Sequence, residues 1–412
     1  MKKIMIACQC STNKGDRAIA EFLIRNLRKQ YPKSEIIISS TEPQYWEFSQ
    51  ESNIKVIGPA YKHLFRKRSG FLGRVFNQLN WFIYKIFVFP RIFREKKNSR
   101  LLNKISHDFI ECVKESDIVI VTGGHHITSL RNQNALFAIT YDLGLISMYS
   151  NNYYLWSQTI GPLKFTNKRS KKFIFSILQN SKLIFIRDSN SLTTLKNVFS
   201  DNFHAIEERI VKTYDSVFWF AKQINNPISE RKKQVGISIF NGLKKAFDNF
   251  AVIAQLLDYL SSLGYEIVFF KMEHSEKETG DIHKIIGMMK NNPTISIVPF
   301  SVSIDEHLIE LSKCRIFIGY KTHSIIMSLA TATPLLAICY HEKSRDFMKD
   351  FDLDCYALDD THLSFDECKA TINNLFDNVV EIYNLMNKKR KDMVENIDSA
   401  MKIIYETNDD CK

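Results

Sequence analysis

The chain has 412 residues, of which 45% are hydrophobic and 25% are charged. This length exceeds a single typical core and predicts two domains, and the composition is that of a globular protein. The net charge is +11, and the segment from Lys62 to Arg100 holds eleven Lys and Arg residues against one acid. Because the positive charge is concentrated in one segment, the charge does not indicate a general nucleic-acid binder.

Cysteine spacing and apolar run length indicate the compartment. The eight cysteines show no spacing typical of a disulfide framework, a zinc site or a redox motif. No run reaches the roughly 18 apolar residues of a membrane span, and the apolar stretch after Lys2 and Lys3 is too short for a signal peptide. The sequence therefore predicts a cytoplasmic protein with no metal and no cofactor.

The first half alternates short apolar runs with amphipathic segments. Strands are predicted at 3–8, 35–39, 54–57, 153–157 and 183–186, with another from 117 to a glycine turn at 123–124, and helices at 18–27, 132–149 and 170–180. The loop after the first strand contains Asn13, Gly15 and Asp16. Gly15 would permit close approach of the backbone to a ligand, and Asp16 could cap the helix. From this loop alone, a capping role is favoured over ligand binding.

The segment 62–100 differs from its surroundings. Apolar residues recur at helical spacing from Leu72 to Phe87, three further aromatic residues lie among or just after them, and Lys and Arg cluster at both ends. Such a basic amphipathic helix is typical of a protein that rests on an anionic membrane surface. The alternative is a helical insertion that packs on its own core.

The second half begins after a polar linker at 225–233 that contains Pro227. Strands are predicted at 234–240, 265–270, 294–298, 315–320 and 335–340, with a helix at 247–263 and a charged helical tail. We expect an α/β protein of two Rossmann-like domains facing a cleft, which resembles the GT-B transferases. The expected domains are an acceptor domain at 1–224, with 62–100 as a basic insertion, and a donor-binding domain at 234–365, followed by a helical tail at 366–412.

One β-turn-α-β unit carries most of the candidate chemistry. A buried strand ends at Gly319, a helix begins between Lys321 and His323 with Thr322 or Ser324 as its cap, and a second strand leads to His341, Glu342 and Lys343. Helix N-termini and cations at the carboxyl ends of parallel strands favour a phosphate or carboxylate ligand. An ordinary βαβ unit with solvated charges is the alternative.

Seven short motifs at strand ends resemble the polysaccharide pyruvyl transferase family. They are 13–16 (Asn-Lys-Gly-Asp), 122–124 (Thr-Gly-Gly), 157–162 (Ser-Gln-Thr-Ile-Gly-Pro), 187–189 (Arg-Asp-Ser), 213–215 (Thr-Tyr-Asp), 321–323 (Lys-Thr-His), and 333–334 (Thr-Pro) with Tyr340 and Lys343. The resemblance implies transfer of a pyruvyl group from phosphoenolpyruvate to a sugar of a cell-surface polysaccharide or its lipid-linked precursor, as a cyclic ketal. The chain departs from the pattern at Lys321, where the family has Arg, at His125, where it has a third glycine, and in the basic insertion.

The chemistry of that reaction assigns expected roles. His323 is the first candidate for acid or base, with Asp215 and Glu342 as carboxylate alternatives. The anionic donor needs several cations, which Arg187, Lys321, His323 and Lys343 would supply. The full set of expected substrate-binding residues is Asn13, Gly15, Asp16, Gly123, Gly124, His125, Gln158, Arg187, Lys321, Tyr340 and Lys343.

Two other functions stay open at this point. A GT-B glycosyltransferase would use a sugar nucleotide, for which Glu342 could contact the ribose, and an inactive family member would explain Lys321 and His125. The expected partners are phosphoenolpyruvate, a saccharide acceptor and an anionic membrane, with no nucleic acid. The protein is expected in the cytoplasm, peripheral on the inner membrane face.

Overall fold

The computed structural model describes residues 1–10, 12–46, 53–63, 75, 79, 82, 100–129, 133–165, 168–240, 246–340 and 342–409. The chain divides into two compact units. The first consists of Met1–Ser11, Ile19–Tyr214 and Ile403–Lys412, and the second of Thr12–Ala18 and Asp215–Lys402. The division at Tyr214 lies before the predicted end of the first domain at residue 224, because the loop that carries Asp215 packs with the second unit.

A parallel sheet forms the centre of the first unit. Its strands are β1 (Lys3–Gln9), β2 (Glu35–Ser40), β3 (Ile54–Ile57), β4 (Ile118–Val121), β5 (Gly124–Ile127), β6 (Tyr153–Ile160), β7 (Leu183–Ile186) and β8 (Ile210–Lys212). The order is β3-β2-β1-β4-β6-β7-β8, with β5 paired to β6. Most strands are buried on both faces, so their sequences are continuous apolar runs. These runs are the feature from which the strands were predicted.

Helices cover this sheet. They are α1 (Lys14–Gln30), α2 (Arg100–Ile105), α3 (His107–Glu115), α4 (Gln133–Tyr149), α5 (Lys168–Asn180), α6 (Ser189–Val198) and α7 (His204–Glu207). Asp188 caps α6 as predicted, since its carboxylate accepts the backbone N–H of Ser191 at 2.7 Å. Strand β5, which extends the glycine turn into a further parallel strand, was not predicted.

The predicted basic insertion lies mostly outside the described residues. A 3₁₀ helix at Ala60–His63 leads into it. The buried Asp142 carboxylate accepts the N–H groups of Ala60 and Tyr61 at 3.1 and 2.9 Å, and burial raises the pKa of Asp142 to about 8. The start of the insertion is therefore bonded to α4.

A second parallel sheet forms the centre of the second unit. Its strands are β9 (Lys232–Ile237), β10 (Glu266–Phe270), β11 (Ile295–Val298), β12 (Cys314–Gly319), β13 (Leu335–Cys339) and β14 (Ala357–Asp359), in the order β11-β10-β9-β12-β13-β14. Its helices are α8 (Val217–Phe220), α9 (Ala246–Ser262), α10 (Glu276–Met288), α11 (Ile304–Lys313), α12 (Thr322–Ala330), α13 (Glu342–Asp350), α14 (Phe365–Asp377) and α15 (Val379–Asp409).

The helical tail predicted at 366–412 consists of α14 and α15. The last residues of α15, from Ile403, belong to the first unit. There Asp409 pairs with Lys2 at 3.2 Å and accepts a hydrogen bond from Gln30 at 3.0 Å. Among the described residues, none of the helices combines the length and apolar character that crossing a membrane requires.

Two buried arginines hold the carboxyl end of α12. Arg390 donates to the carbonyl oxygens of Ala330 at 3.0 Å and Ile224 at 2.9 Å. Arg231 donates to the carbonyl oxygen of Thr331 at 3.0 Å and the hydroxyl of Thr333 at 2.7 Å. Burial lowers the pKa of both guanidinium groups, that of Arg231 to about 10. Cations at the negative end of a helix stabilise it, so α12 is fixed at this end.

We predict that Arg390→Ala destabilises the protein because it leaves buried carbonyl groups without donors. Hydrogen bonds to a charged group contribute about 1.5–3 kcal/mol each. Urea unfolding should show a loss of that order for Arg390→Ala, and none for Lys391→Ala, which removes an exposed charge one residue along the same helix. Equal stability of the two variants would show that the arginine does not hold α12.

Candidate functional site

The topology of the second sheet places a candidate site between two strand ends. From β9 the chain proceeds to β10 and β11 on one side and returns to β12 on the other. Neighbouring strands at which the order reverses leave a crevice at their carboxyl ends, where ligands bind in open α/β sheets. The residues at this position follow β9, at Ile239 and Phe240, and β12, at Lys321 to His323.

Helix α12 begins at this crevice. Its N-cap is Lys321, and no side chain caps it, so the predicted caps Thr322 and Ser324 were wrong. The backbone N–H of Ser324 and its hydroxyl both donate to the Lys321 carbonyl, at 2.9 and 2.7 Å. The first turn therefore presents Thr322 and His323 at the positive end of the helix.

His323 lies beside a buried carboxylate. Its Nε2 is 4.0 Å from Oδ2 of Asp215, and the side chain of His323 is 13% exposed while that of Asp215 is 0% exposed. The other carboxylate oxygen of Asp215 accepts the backbone N–H of Val217 at 3.0 Å. A fixed carboxylate next to an imidazole orients the ring and stabilises its protonated form. The structure thus brings together two of the three predicted catalytic residues.

Gly15 gives the ring of His323 its space. A Cβ atom at Gly15 would lie 2.0 Å from Cγ of His323, so only glycine fits this position. In this structure the close approach at Gly15 is made by a histidine ring, and the expected approach to a ligand stays a prediction. Asn13 caps α1, since its side-chain oxygen accepts the N–H groups of Gly15 at 3.0 Å and Asp16 at 3.2 Å, which corrects the predicted cap at Asp16.

Lys321 is buried and neutralised. Its ammonium group lies 2.7 Å from Oε1 of Glu278 and 3.1 Å from Oε1 of Glu273. Glu278 also accepts the backbone N–H groups of Met272 at 3.1 Å and Glu273 at 2.9 Å. An anion at this lysine would meet two carboxylates, so the geometry opposes the predicted role of Lys321 in holding an anionic substrate.

A second helix begins near the start of α12. The hydroxyl groups of Thr322 and Ser344 are hydrogen-bonded at 2.8 Å, and this bond joins the first turns of α12 and α13. Glu342 is the first residue of α13 and is exposed, and Lys343 is half-buried. The predicted His341 lies outside the described residues. Asp215, which contacts His323, is therefore better placed than Glu342 to act with the histidine.

Three aromatic rings pack at the ends of β9, β12 and β13. Phe240 stacks on Tyr340 with ring centroids 4.2 Å apart, and Tyr320 lies 6.3 Å from Tyr340. The Tyr320 hydroxyl donates to Asp360 at 3.2 Å and accepts from Asn249 at 3.0 Å, and burial raises its pKa. Tyr320 is thus a neutral structural group, whereas Phe240 and the predicted Tyr340 are half-buried.

In the first unit, the predicted glycine turn lies at the end of β4. Gly124 has φ +142, and a Cβ atom at Gly123 would lie 2.5 Å from the Ser157 carbonyl oxygen. Ser157 itself has φ +50, an uncommon conformation for a residue with a side chain. His125 is half-buried and its Nε2 is hydrogen-bonded to the Gly161 carbonyl oxygen, so this residue fits where the family has glycine.

Two predicted ligand contacts in the first unit are buried. Arg187 is 0% exposed, and its Nε donates to the hydroxyl of Thr159 at 3.0 Å. Gln158 is also fully buried, and its amide donates to the carbonyl oxygen of Thr122 at 2.7 Å. Their side chains hold neighbouring strand ends together, and the expected substrate contacts of both residues stay predictions.

The two carboxylates that neutralise Lys321 were not identified from the sequence. Glu273 follows β10, and Glu278 lies in the first turn of α10, where acids are common for helix stability alone. The one local sequence feature that involves Glu278 is a helix-capping pattern, in which the Ser275 side chain accepts the backbone N–H of Glu278. Among the described residues, no group of three or more His, Cys, Asp or Glu side chains could hold a metal ion.

We predict that Gly15→Ala displaces the His323 ring without unfolding the protein. The added methyl group must overlap the ring, and helix α1 tolerates alanine. A crystal structure of the variant, or the imidazole resonances of His323, should show the change. The control is Gly280→Ala in α10, where no heavy atom lies within 4 Å of an added Cβ. An unmoved His323 in Gly15→Ala would contradict the packing described above.

Solved structures with this architecture come from several organisms. A putative UDP-N-acetylglucosamine 2-epimerase of Listeria monocytogenes matches with a TM-score of 0.60 at 13% identity, covering 99% of this chain and 98% of that one. A UDP-GlcNAc 2-epimerase of Neisseria meningitidis matches with a TM-score of 0.55 at 13% identity, covering 99% of each chain. A glycosyltransferase of Rickettsia africae matches with a TM-score of 0.53 at 12% identity, covering 99% and 98%. The likeness establishes the GT-B-like fold.

Sequence comparison identifies the family. No curated protein sequence matches the chain. The family model described as polysaccharide pyruvyl transferase matches residues 13–342, which include the strand-end motifs, the buried Asp215 and the His323 turn. The chain therefore belongs to the polysaccharide pyruvyl transferase family.

Proposed function

We propose that the protein transfers a pyruvyl group from phosphoenolpyruvate to two hydroxyl groups of a saccharide, forming a cyclic ketal and releasing phosphate. The saccharide would belong to a cell-surface polysaccharide or its lipid-linked precursor. The observation that carries the proposal is the pairing of His323 with buried Asp215 at the start of α12. Family membership supports the same reaction class.

The proton balance of this reaction suits a single histidine. The methylene carbon of phosphoenolpyruvate gains one proton, and the two attacking hydroxyl groups lose one each. The remaining proton leaves with phosphate. His323 would donate a proton to the methylene carbon and then accept one from a hydroxyl group, which returns it to its starting state. Asp215 would stabilise the protonated ring and fix its orientation as a positioning residue.

The donor would lie on the α13 side of the α12 N-terminus. Two helix N-termini meet there through Thr322 and Ser344, and Lys343 adds a cation. Phosphate and carboxylate groups are favoured at such positions because the backbone N–H groups and the helix dipoles oppose the negative charge. Lys321 would not contribute directly, since Glu273 and Glu278 neutralise it.

The basic insertion would place the enzyme on an anionic membrane. Three residues between the two ends of the insertion are described, and all are helical: Val75, Leu79 and Phe82 are 47%, 50% and 59% exposed. Their spacing places them on one helical face, and exposure at these positions favours a membrane contact over packing on a local core. Lipid-linked saccharides are assembled at the inner membrane face, so this contact would bring enzyme and acceptor together.

The proposed reaction predicts that phosphoenolpyruvate raises the melting temperature, and that high salt weakens the effect. With a saccharide acceptor, the wild type should release phosphate and produce a ketal detectable by mass spectrometry. His323→Gln should stay folded and lose about 10²–10⁴-fold in turnover. Asp215→Asn should lower kcat with little change in the KM for the donor.

The matched control is His283→Gln, an exposed histidine on α10. It should keep full activity. Full activity in folded His323→Gln would remove the histidine from the mechanism. Stabilisation by a sugar nucleotide, with none by phosphoenolpyruvate, would support a glycosyltransferase instead.

The membrane contact predicts salt-sensitive binding to vesicles that contain anionic lipid. Each Lys or Arg near such a surface contributes about 1 kcal/mol. Binding should disappear when six cations become Gln, namely Arg66, Lys67, Arg68, Arg94, Lys96 and Lys97. It should weaken in the triple variant Val75→Asn, Leu79→Gln, Phe82→Gln, and not in Ile309→Asn, which changes an apolar residue 46% exposed in the second unit. Equal sedimentation with neutral and anionic vesicles would overturn this contact.

A further inference from the structure

A pocket of about 170 Å³ opens in the second unit on the side of Lys321 formed by α10. It lies at the carboxyl ends of β9, β10 and β12, where the strand order reverses. We infer that this pocket binds one ring of the saccharide acceptor. The inference rests on the proposed function and adds to it the place and the chemistry of acceptor recognition.

The charge of the pocket separates its ligand from the donor. Three carboxylates and two ammonium groups line it; they belong to Glu273, Glu278, Asp281, Lys277 and Lys321, and Asp281 is also paired with Lys284 at 3.3 Å. The two carboxylates beside Lys321, on Glu273 and Glu278, would repel a ligand with about three negative charges such as phosphoenolpyruvate. An uncharged ligand rich in hydroxyl groups meets no such barrier.

The polar groups of the pocket match a sugar. Carboxylate oxygens accept hydrogen bonds from hydroxyl groups, and ammonium groups donate to ring and hydroxyl oxygens. Glu278 is fixed by two backbone N–H groups and by Lys321. The side chain of Glu273 is 41% exposed while it contacts Lys321, so its carboxylate is both oriented and open to a ligand.

The apolar wall and the volume of the pocket further restrict the class of ligand that fits it. Ile239 and Phe240 line the pocket, and Phe240 is held by its stack on Tyr340. An aromatic ring with one fixed position offers a flat surface for the C–H face of a pyranose. Sites for drug-sized ligands measure roughly 300–1,000 Å³, so this smaller pocket has room for one ring and not for a nucleotide sugar.

The position relative to His323 agrees with this assignment. Lys321 lines the pocket, and His323 lies two residues further, in the first turn of α12. A ring in the pocket would thus lie beside the turn that carries the proposed proton donor. The acceptor ring and the anionic donor would occupy opposite sides of one short loop.

The test measures saccharide and donor binding separately on the full chain. The probes are the methyl pyranosides of glucose, galactose, mannose and N-acetylmannosamine, observed by saturation-transfer NMR, and phosphoenolpyruvate, observed by calorimetry. At least one pyranoside should bind, and phosphoenolpyruvate should not displace it. Phe240→Ala and Glu273→Gln should each lower the affinity for that pyranoside by about 10-fold or more and leave the affinity for phosphoenolpyruvate unchanged.

Glu276→Gln is the matched control, because Glu276 is exposed in the first turn of α10 and does not line the pocket. It should change neither affinity. Displacement of the pyranoside by phosphoenolpyruvate, or lost donor affinity in the two variants, would make this pocket the donor site. Binding of no pyranoside would overturn the inference. Pyranoside binding that depends on Phe240 and Glu273, without any phosphoenolpyruvate binding, would instead overturn the proposed reaction and leave the pocket assigned.

Discussion

The fixed position of helix α12 is the constraint on which the candidate site depends. Its carboxyl end is bonded to Arg231 and Arg390, which come from outside the β12–α12–β13 unit. Burying two cations costs solvation free energy, as the lowered pKa of each guanidinium group shows. The carbonyl groups at the end of α12 compensate that cost by accepting hydrogen bonds from both guanidinium groups, which requires the helix end to lie where it is observed. His323, at the opposite end of the same helix, is therefore held in one place relative to Asp215.

The amino end of α12 separates two electrostatic environments within three residues. On one side Lys321 is neutralised by Glu273 and Glu278, and both carboxylates line the pocket beside it. On the other side Thr322 is bonded to Ser344 at the start of α13, where two helix dipoles favour an anion. The proposed reaction, which joins a trianionic donor to a neutral hydroxyl compound, would need both environments beside one proton-transfer group. His323 lies at the point where they meet.

Sequence patterns predicted the architecture more completely than the site. Most strands of both sheets follow from short apolar runs, and the strand-end loops follow from Gly, Pro, Asp and Ser at their ends. The short strands β5, β8 and β14 were not predicted. Roles within the loops depend on pairs formed only by folding. In the sequence Lys321 resembles an anion-binding residue, but in the structure Glu278, from the first turn of α10, neutralises it. Arg187 resembles a second such residue, but in the structure it is buried against Thr159. A cationic residue in a loop motif indicates that a positive charge is needed there. The motif does not indicate whether the partner of that charge is a ligand or another residue of the protein.

The motif at 13–16 shows the same limit of sequence-based prediction. Its glycine, Gly15, indicated that another group packs closely against the backbone, and in the structure that group is the ring of His323. The remaining residues of the motif serve the same end. Asn13 caps α1, and Lys14 donates to the carbonyl oxygens of Phe300 and Val302, at 2.5 and 2.6 Å. Each contact fixes the first turn of α1 within the second unit. The described contacts of the motif thus fix the backbone beside His323, and its expected contact with a ligand stays a prediction.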